Sequence, residues 1–284
     1  MRFGFLLKRG KPEARELAVE LAEVLRRRQC AIVAVEEDAG KIPGATVVAA
    51  GALGRSVDAV VVLGGDGTFL NAAGLVADHG VPLFGVNLGR LGFMTQYLRG
   101  QAAAALEAAC AGELRIDERM RLAVTVRAAD GTVLESRSAV NDVVISQLAM
   151  ARLLDLQVRL GDELITTYKA DGLILATPTG STAYNLAAGG PIMTPDSEAI
   201  VLTPICPHML TNRPLVVRAD SRVTVTNLSE KGVQLTVDGQ WGRELGVGES
   251  VEARKTDRPL RMYRAPTSFF AILRQKLSWG ERRG

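Results

Sequence analysis

Between Ala59 and Asn71 the chain reads AVVVLGGDGTFLN, and no other stretch limits its fold so strongly. Val60, Val61 and Val62 form a β-branched run with no polar partner, the pattern of a strand buried on both faces. Gly64, Gly65, Asp66, Gly67 and Thr68 follow, and a helical pattern begins near Thr68. A strand that passes through a glycine turn straight into a helix is half of a parallel βα unit. Around it the first hundred or so residues repeat the same alternation. Phe3 to Leu7, Ala31 to Val35, Val57 to Leu63 and Val81 to Val86 read as strands. Ala14, Leu17, Ala18, Leu21, Ala22 and Leu25 recur at helical spacing, and Gln101 to Ala111 reads as a further helix. The expectation is an α/β, Rossmann-like domain with a parallel sheet. Ligands of such sheets lie beyond the carboxyl ends of the strands, where the glycine loop falls.

The loop itself suits an anion. Without a Cβ, glycine lets the backbone come close to a bulky group. The helix start adds N–H groups and a positive dipole end that favour phosphate. Gly64, Gly65, Gly67 and Thr68 are therefore candidate phosphate-loop residues. Asp66 stands out among them, because a carboxylate beside phosphates needs a task, such as handling a hydroxyl proton or a phosphate-bound metal ion. A plain turn whose Asp bonds only its own backbone remains the alternative. The loop is not a Walker A loop, which ends in Gly-Lys-Ser/Thr. Nor is it a dinucleotide fingerprint, since Leu70 occupies the place of the third glycine.

Near Arg119 the period changes. Leu122, Val124 and Val126 alternate with polar residues, and so do Leu154, Leu156, Val158 and Leu160. Asp130-Gly131 and Gly161-Asp162 are turn signals, and Val223, Val225, Val233, Leu235 and Val237 continue the period of two. The second half is read as mostly antiparallel β, with a helix after Ser181. Ser268 to Leu277 returns to helical spacing. The expected domains are 1–117, with 264–284 packing back on it, and 118–263.

The 284 residues suffice for one large domain or two ordinary ones. With 47% hydrophobic and 23% charged residues the balance is that of a globular chain. A net charge of +3 calls for no nucleic acid, and Arg282 and Arg283 read as a solvated tail. No apolar run reaches the roughly 18 residues of a membrane helix, and the start of the chain lacks a secretory signal. Cys30, Cys110 and Cys206 are odd in number and far apart, so no disulfide framework or thiolate zinc site is indicated. The expectation is a cytoplasmic protein without nucleic-acid or membrane partners.

In the second half Lys169 to Ile192 reads KADGLILATPTGSTAYNLAAGGPI. Thr177, Thr179, Ser181 and Thr182 gather hydroxyls around Gly180, followed by Tyr184 and Asn185. Helix capping would use one or two of those hydroxyls, and the surplus favours a ligand surface. Asn141-Asp142, at the head of the strand Val143-Val144-Ile145, suits a base edge and a ribose diol, but is equally turn chemistry.

Together these pieces resemble the bacterial NAD kinase family. LGGDGTFL, NLGRLGFM, NDVVI, ADGLILATPTGSTAYNLAAGGPI and VDGQ occur in the family's order. The Gly-Gly-Asp-Gly piece is shared with phosphofructokinases and lipid kinases of the diacylglycerol type, whereas the TPTGSTAYN block is more specific. The resemblance implies transfer of the γ-phosphate of ATP to the 2′-hydroxyl of the adenosine ribose of NAD. It also implies a β-sandwich-like C-terminal domain and a homodimer or, as expected here, a homotetramer. By the same analogy Asp66 is the catalytic group and Asn141 with Asp142 holds the adenosine part. Gly67, Arg152, Lys169, Asp171, Thr182, Ala183, Tyr184, Asn185, Leu186, Ala187 and Gln240 match further NAD-binding positions. Two departures stand out: the family commonly has Asn-Glu where this chain has Asn141-Asp142, and some relatives have a basic residue at Asn71.

Phosphoryl transfer is mainly positioning and charge neutralisation, so a divalent ion, Mg²⁺, is expected with the triphosphate. No protein cage for it is legible, and substrate oxygens and water would supply most ligands. Two competing readings are a lipid kinase, which leaves the TPTGSTAYN block without a role, and a silent dinucleotide sensor, which leaves Asp66 without one.

Overall fold

The computed structural model describes residues 1–89, 91–148, 153–230 and 232–278. Arg152, Arg282 and Arg283 lie outside the described residues. Two compact units divide the chain: Met1–Glu118 together with the stretch from Leu260, and Arg119–Pro259.

The first unit is built on a sheet whose strands run in the order Thr46–Val48, Ala31–Val35, Arg2–Leu7, Ala59–Leu63, Leu83–Asn87, Leu260–Tyr263 and Ile116–Arg119. The short strand Tyr97–Leu98 pairs with Leu83–Asn87, and the pairings from Thr46–Val48 through to Leu260–Tyr263 are parallel. Ala59–Leu63 has no exposed residue, which is why it reads as an unbroken apolar run rather than an alternation. The helix Pro12–Arg27 opens with Pro in its first turn and buries Ala14, Leu17, Ala18, Leu21, Ala22 and Leu25, the stripe expected from their spacing. Winding starts at Arg2–Leu7, runs outward through Ala31–Val35 and Thr46–Val48, then returns to the other side at Ala59–Leu63. The two strands flanking that reversal end at Leu7 and Leu63. Their loops part there and leave a crevice, the usual ligand position in a doubly wound sheet.

The second unit holds two six-stranded sheets, and among the described residues their strands pair antiparallel. One runs Leu215–Arg218, Ala199–Ile205, Gly172–Ala176, Asp142–Gln147, Val233–Val237, Trp241–Leu245. The other runs Glu163–Ala170, Leu154–Leu160, Val223–Asn227, Ser250–Lys255, Leu122–Arg127, Val133–Ala139. Leu122, Val124, Val126, Leu156 and Val158 from one sheet share a core with Val143, Ile145, Leu173, Leu175 and Leu235 from the other, as in a β-sandwich. Gly131 and Gly161 turn their hairpins with positive φ, 88° and 58°. The first sheet also buries its outer face in part, where Val144, Ile174, Ala176 and Val201 pack with Ala188 and Met193. The segment that follows Ala176 thus lies against the sheet instead of in solvent.

The helix expected after Ser181 is present but short. Gly180–Thr182 is a single 3₁₀ turn and Tyr184–Ala187 a single α-turn. The hydroxyls and amide of the segment bond partly within it and partly to Val140, Met193 and Thr203.

Candidate active site

Each end of the reversal in the first unit contributes to one cavity. Lys8 and Arg9 follow the strand Arg2–Leu7, and Gly64 to Gly67 follow Ala59–Leu63, with Lys8 N–H bonded to Leu63 O at 2.9 Å. The cavity has a volume of about 490 Å³ and is lined by Leu6, Leu7, Lys8, Arg9, Glu37, Asp38, Gly65, Gly67, Thr68 and Asn71. Asp66 is the first residue of the helix Asp66–Val76, which starts slightly earlier than the expected Thr68. Phe69 N–H bonds to Gly65 O, so the N–H groups of Asp66, Gly67 and Thr68 lack intrahelical partners.

The glycines of this loop differ in kind. A Cβ on Gly64 would lie 2.4 Å from Thr68 Oγ1, so packing within the protein requires glycine there. At Gly65 and Gly67 a Cβ would meet no protein atom within 4 Å. Protein packing does not account for them. Both line the cavity, and a ligand that approaches the backbone closely does account for them.

Asp66 does not bond its own turn. Its carboxylate holds the loop after Leu83–Asn87: Oδ2 accepts from Phe93 N–H at 2.9 Å, and Oδ1 accepts from Met94 N–H at 3.1 Å and Thr95 N–H at 3.0 Å. The Thr95 hydroxyl adds a fourth bond to Oδ1 at 3.0 Å. A carboxylate has about four acceptor positions, two on each oxygen. Three donors crowd Oδ1 and one meets Oδ2, so the open position is on Oδ2. Positive charge near the loop comes from residues that sequence reasoning missed. Asn71 is neutral, but Lys8 and Arg9 line the same cavity. Arg9 is paired with Glu37, and Lys41 with buried Asp38 at 2.7 Å, while Asp38 Oδ2 also accepts from Leu7 N–H. Only the strand order reveals Lys8 and Arg9, because nothing local in Lys8-Arg9-Gly10 points to a ligand.

In the second unit the expected residues separate into two groups. Asn141 and Asp142 begin the strand Asp142–Gln147, opposite Ala176 at the end of Gly172–Ala176. The turn Asp238-Gly239-Gln240, with positive φ at Asp238 and Gly239, closes the neighbouring hairpin at the same end. The segment from Thr177 to Ala187 leaves from that end too. Gly180 lies so close that a Cβ would stand 2.0 Å from Asn141 O. Asn141, Asp142, Gln240 and the loop that leads into Thr182, Ala183, Tyr184, Asn185, Leu186 and Ala187 therefore gather at one end of the sheet. Asp171 precedes Gly172 at the other end, where Gln147 N–H bonds to its carbonyl, and Lys169 lies beside it on the adjoining strand. Five strand residues separate the two groups, roughly 15 Å at the rise of a β-strand.

Asp238, also missed, organises the first group. Its Oδ1 accepts from Asn141 N–H at 2.7 Å and Asp142 N–H at 3.1 Å, and its Oδ2 from Val140 N–H at 2.8 Å. Burial pushes its carboxyl upward, against the lowering effect of those three N–H groups and of Arg121. Asp142 is buried, and that burial followed by the charge of Asp238 pushes it up to about 7. The VDGQ block contained the signal, since an Asp before Gly in a tight turn often bonds backbone N–H groups.

The hydroxyl run divides likewise. Thr177 is fully buried, donates to Val140 O and accepts from Gly180 N–H at 3.0 Å. Ser181 is fully buried, donates to Pro178 O at 2.7 Å and accepts from Met193 N–H at 2.9 Å. Both hydroxyls are spent on partners inside the protein. The Asn185 amide is spent inside too, donating to Ser181 O and Pro191 O and accepting from Thr203 at 2.6 Å. Thr182 is half-buried, Tyr184 is 47% exposed, and buried Thr179 Oγ1 has no hydrogen-bond partner. Among the described residues no three His, Cys, Asp or Glu side chains form a metal-binding group, and no helix is long and apolar enough to cross a membrane.

Known proteins resemble the whole of this arrangement. The family model for the ATP-NAD kinase N-terminal domain matches residues 3–114, and that for the ATP-NAD kinase C-terminal domain matches residues 140–265. An NAD kinase of Syntrophotalea carbinolica is 46% identical over 247 residues, 86% of this chain and 82% of that one. An NAD kinase of Geobacter metallireducens is 43% identical over 95% of this chain and 96% of its own length. Among solved structures, a yeast NADH kinase complexed with NADH superposes with a TM-score of 0.91 at 25% identity, covering 99% of this chain and 89% of that chain. A lipid kinase would share the glycine loop alone, whereas these matches take in both units.

Proposed function

The chain belongs to the ATP-NAD kinase family, and we propose that it carries the γ-phosphate of ATP to the 2′-hydroxyl of the adenosine ribose of NAD, with Asp66 as the catalytic group. One observation carries this reading: a carboxylate fixed by four donors, with an acceptor position open on Oδ2, stands at a helix start whose glycines leave room for a ligand. The ribose 2′-hydroxyl donates to Oδ2, which aims its oxygen at the γ-phosphorus. As the new P–O bond forms, the bond from the γ-phosphorus to the β,γ-bridging oxygen breaks and ADP leaves. The hydroxyl proton passes to Asp66 late in the step, as suits a loose transition state.

The donor's phosphates meet the N–H groups of Gly67 and Thr68 and the ammonium of Lys8, which supplies charge that Asn71 does not. Mg²⁺ enters as part of the nucleotide substrate, on phosphate oxygens and water. Asp38 spends both oxygens on protein donors and Asp66 keeps a single open acceptor position, so neither can cage an ion alone. In the second unit Asn141 and Asp142 hold the adenosine, with Gln240, Thr182, Ala183, Tyr184, Leu186 and Ala187 beside them. Asn185 contributes through its backbone. Lys169 and Asp171 serve a part of the dinucleotide remote from that adenosine.

We further propose a homo-oligomer, dimer or tetramer. The edge strand Leu215–Arg218 exposes Leu215 and Val216 and is a strand that needs covering. Light scattering would return a multiple of 30.3 kDa, and the single-chain mass would remove this claim. A cytoplasmic location is supported by the cysteines, which are odd in number and far apart in the sequence and so indicate no disulfide framework. The activity is tested by supplying ATP, Mg²⁺ and NAD and locating the new phosphate by phosphorus NMR. A 2′-phosphate is expected, with NAD lacking the 2′-hydroxyl acting only as an inhibitor. A 3′-phosphate, or NAD binding without turnover, would refute the reading, the latter in favour of a sensor.

A further inference from the structure

One side chain ties Asp66 to the strand Leu83–Asn87. Thr95 is fully buried, and its hydroxyl lies 2.8 Å from Asn87 Nδ2 and 3.0 Å from Asp66 Oδ1. The orientation of the Asn87 amide is set by Gly89 N–H, which donates to Asn87 Oδ1 at 2.9 Å. Nδ2 must therefore face Thr95, and an amide nitrogen only donates. The Thr95 hydroxyl accepts that bond, so its own proton has one place to go, Asp66 Oδ1. Asn87 ends the central strand Leu83–Asn87, so the chain Asn87, Thr95, Asp66 ties the carboxylate to a rigid part of the sheet. The turn closes tightly around it. A Cβ on Gly92 would fall 2.2 Å from Asp66 Oδ1 and 2.3 Å from Thr95 Oγ1, and Gly92 N–H bonds to Thr95 O at 3.0 Å.

We propose that Thr95 is a positioning residue for phosphoryl transfer: its hydroxyl, oriented by Asn87, adds the third bond to Asp66 Oδ1 and fixes the carboxylate so that Oδ2 is aimed at the acceptor hydroxyl. This rests on the reading that Asp66 acts on the 2′-hydroxyl. Thr95 touches neither substrate nor reacting atom, and its effect passes through Asp66. Without the hydroxyl, Oδ1 keeps only its two backbone donors, the carboxylate loses its tie through Thr95 to Asn87 and the sheet, and Oδ2 is aimed less well at phosphorus. Such a loss of aim lowers turnover and leaves ground-state binding alone.

The test compares Thr95→Val, which keeps the shape, with Thr95→Ser, which keeps the hydroxyl, and with Asp66→Asn as reference. Thr95→Val should lower kcat by about 10–100-fold, the worth of one hydrogen bond to a charged group, with KM for NAD and for ATP within threefold. Thr95→Ser should recover most of the lost kcat. A purely structural role would instead lower the melting temperature without this kcat-against-KM split. Should Thr95→Val fail to fold, Asn87→Asp probes the same chain. A carboxylate at position 87 accepts the Thr95 proton and turns it away from Asp66, so kcat should fall although the hydroxyl is present. The proposal is overturned if Thr95→Val, or Asn87→Asp in its place, keeps kcat within twofold while Asp66→Asn is slow, or if Thr95→Ser is as slow as Thr95→Val. If Asp66→Asn itself turns over normally, the parent reading fails instead.

Discussion

Replacing Asp238 by Asn changes two things at the nucleotide end of the second unit, with opposite signs. The carboxylate receives three buried N–H groups, from Val140, Asn141 and Asp142. Asn retains one acceptor oxygen, which can serve Asn141 and Asp142, while its NH₂ group faces the Val140 N–H as donor against donor. Leaving one buried N–H unpaired costs about 1–3 kcal/mol, and turning two charge-assisted bonds into neutral ones costs roughly 1 kcal/mol more. Against this, the substitution removes the negative charge that helps push Asp142 up to about 7. A carboxyl whose folded pKa lies above its unfolded value binds its proton more tightly in the native state. Its contribution to stability is full below the unfolded pKa near 3.8 and is lost as pH rises through about 7. For Asp142 that span is worth at most about 4 kcal/mol, less after relaxation of the site. Most of it stays with the variant, since burial is the larger cause and the charge of Asp238 the smaller.

Calorimetry from pH 5 to 8.5 should therefore show the unfolding transition of the native protein falling up to about pH 7 and levelling above it. Asp238→Asn should start lower at pH 5.5, by roughly 5–10 °C at the usual 2–4 °C per kcal/mol, and then fall less steeply. An unchanged transition at pH 5.5 would refute the clamp. A slope as steep as that of the native protein would refute the coupling of the two aspartates.

Three further outcomes follow from the same geometry. Gly180→Ala drives a Cβ into Asn141 O, 2.0 Å away; it should raise KM for NAD about tenfold or more and leave KM for ATP alone, and steady-state kinetics with each substrate varied would show otherwise. Lys8→Met should raise KM for ATP about 10-fold, as one charged phosphate contact is worth, with KM for NAD unchanged; an unaltered KM for ATP removes Lys8 from the donor site. If ionised Asp142 accepts from the ribose hydroxyls, KM for NAD should fall as pH rises from 6 to 8 through its pKa of about 7, and Asp142→Ala should abolish that trend.

Much of the fold is legible because burial writes itself into periodicity. Val60 to Val62 sit in a strand covered on both faces, and Leu122, Val124 and Val126 in one covered on a single face. The run from Thr177 to Asn185 is harder to read for a physical reason: beside the local bond from Ser181 to Pro178, its side chains find partners at Val140, Met193 and Thr203, which no local pattern foretells. Long-range partners also hide the roles of particular carboxylates. Asp66 bonds residues 27–29 positions away and Asp238 residues 96–98 away, so the nature of each clamp appears only once the strands are assembled. Lys8 and Arg9 become visible as cavity residues only through the strand order. Lys169 and Asp171 share a sequence block with Thr182 to Ala187, yet a strand sets them at opposite ends of the sheet.

The central claim is that Asp66 Oδ2 aims the acceptor hydroxyl at the γ-phosphorus. Asp66→Asn must set an amide NH₂ against backbone donors of the loop Phe93 to Thr95, so a melting temperature has to accompany the kinetics. The direct measurement is single-turnover transfer from γ-labelled ATP to NAD in Asp66→Asn, with NAD affinity taken by calorimetry on the same preparation. The account predicts a rate about 10²–10⁴ below that of the native protein, with the dissociation constant for NAD within several-fold. A single-turnover rate near that of the native protein would contradict it.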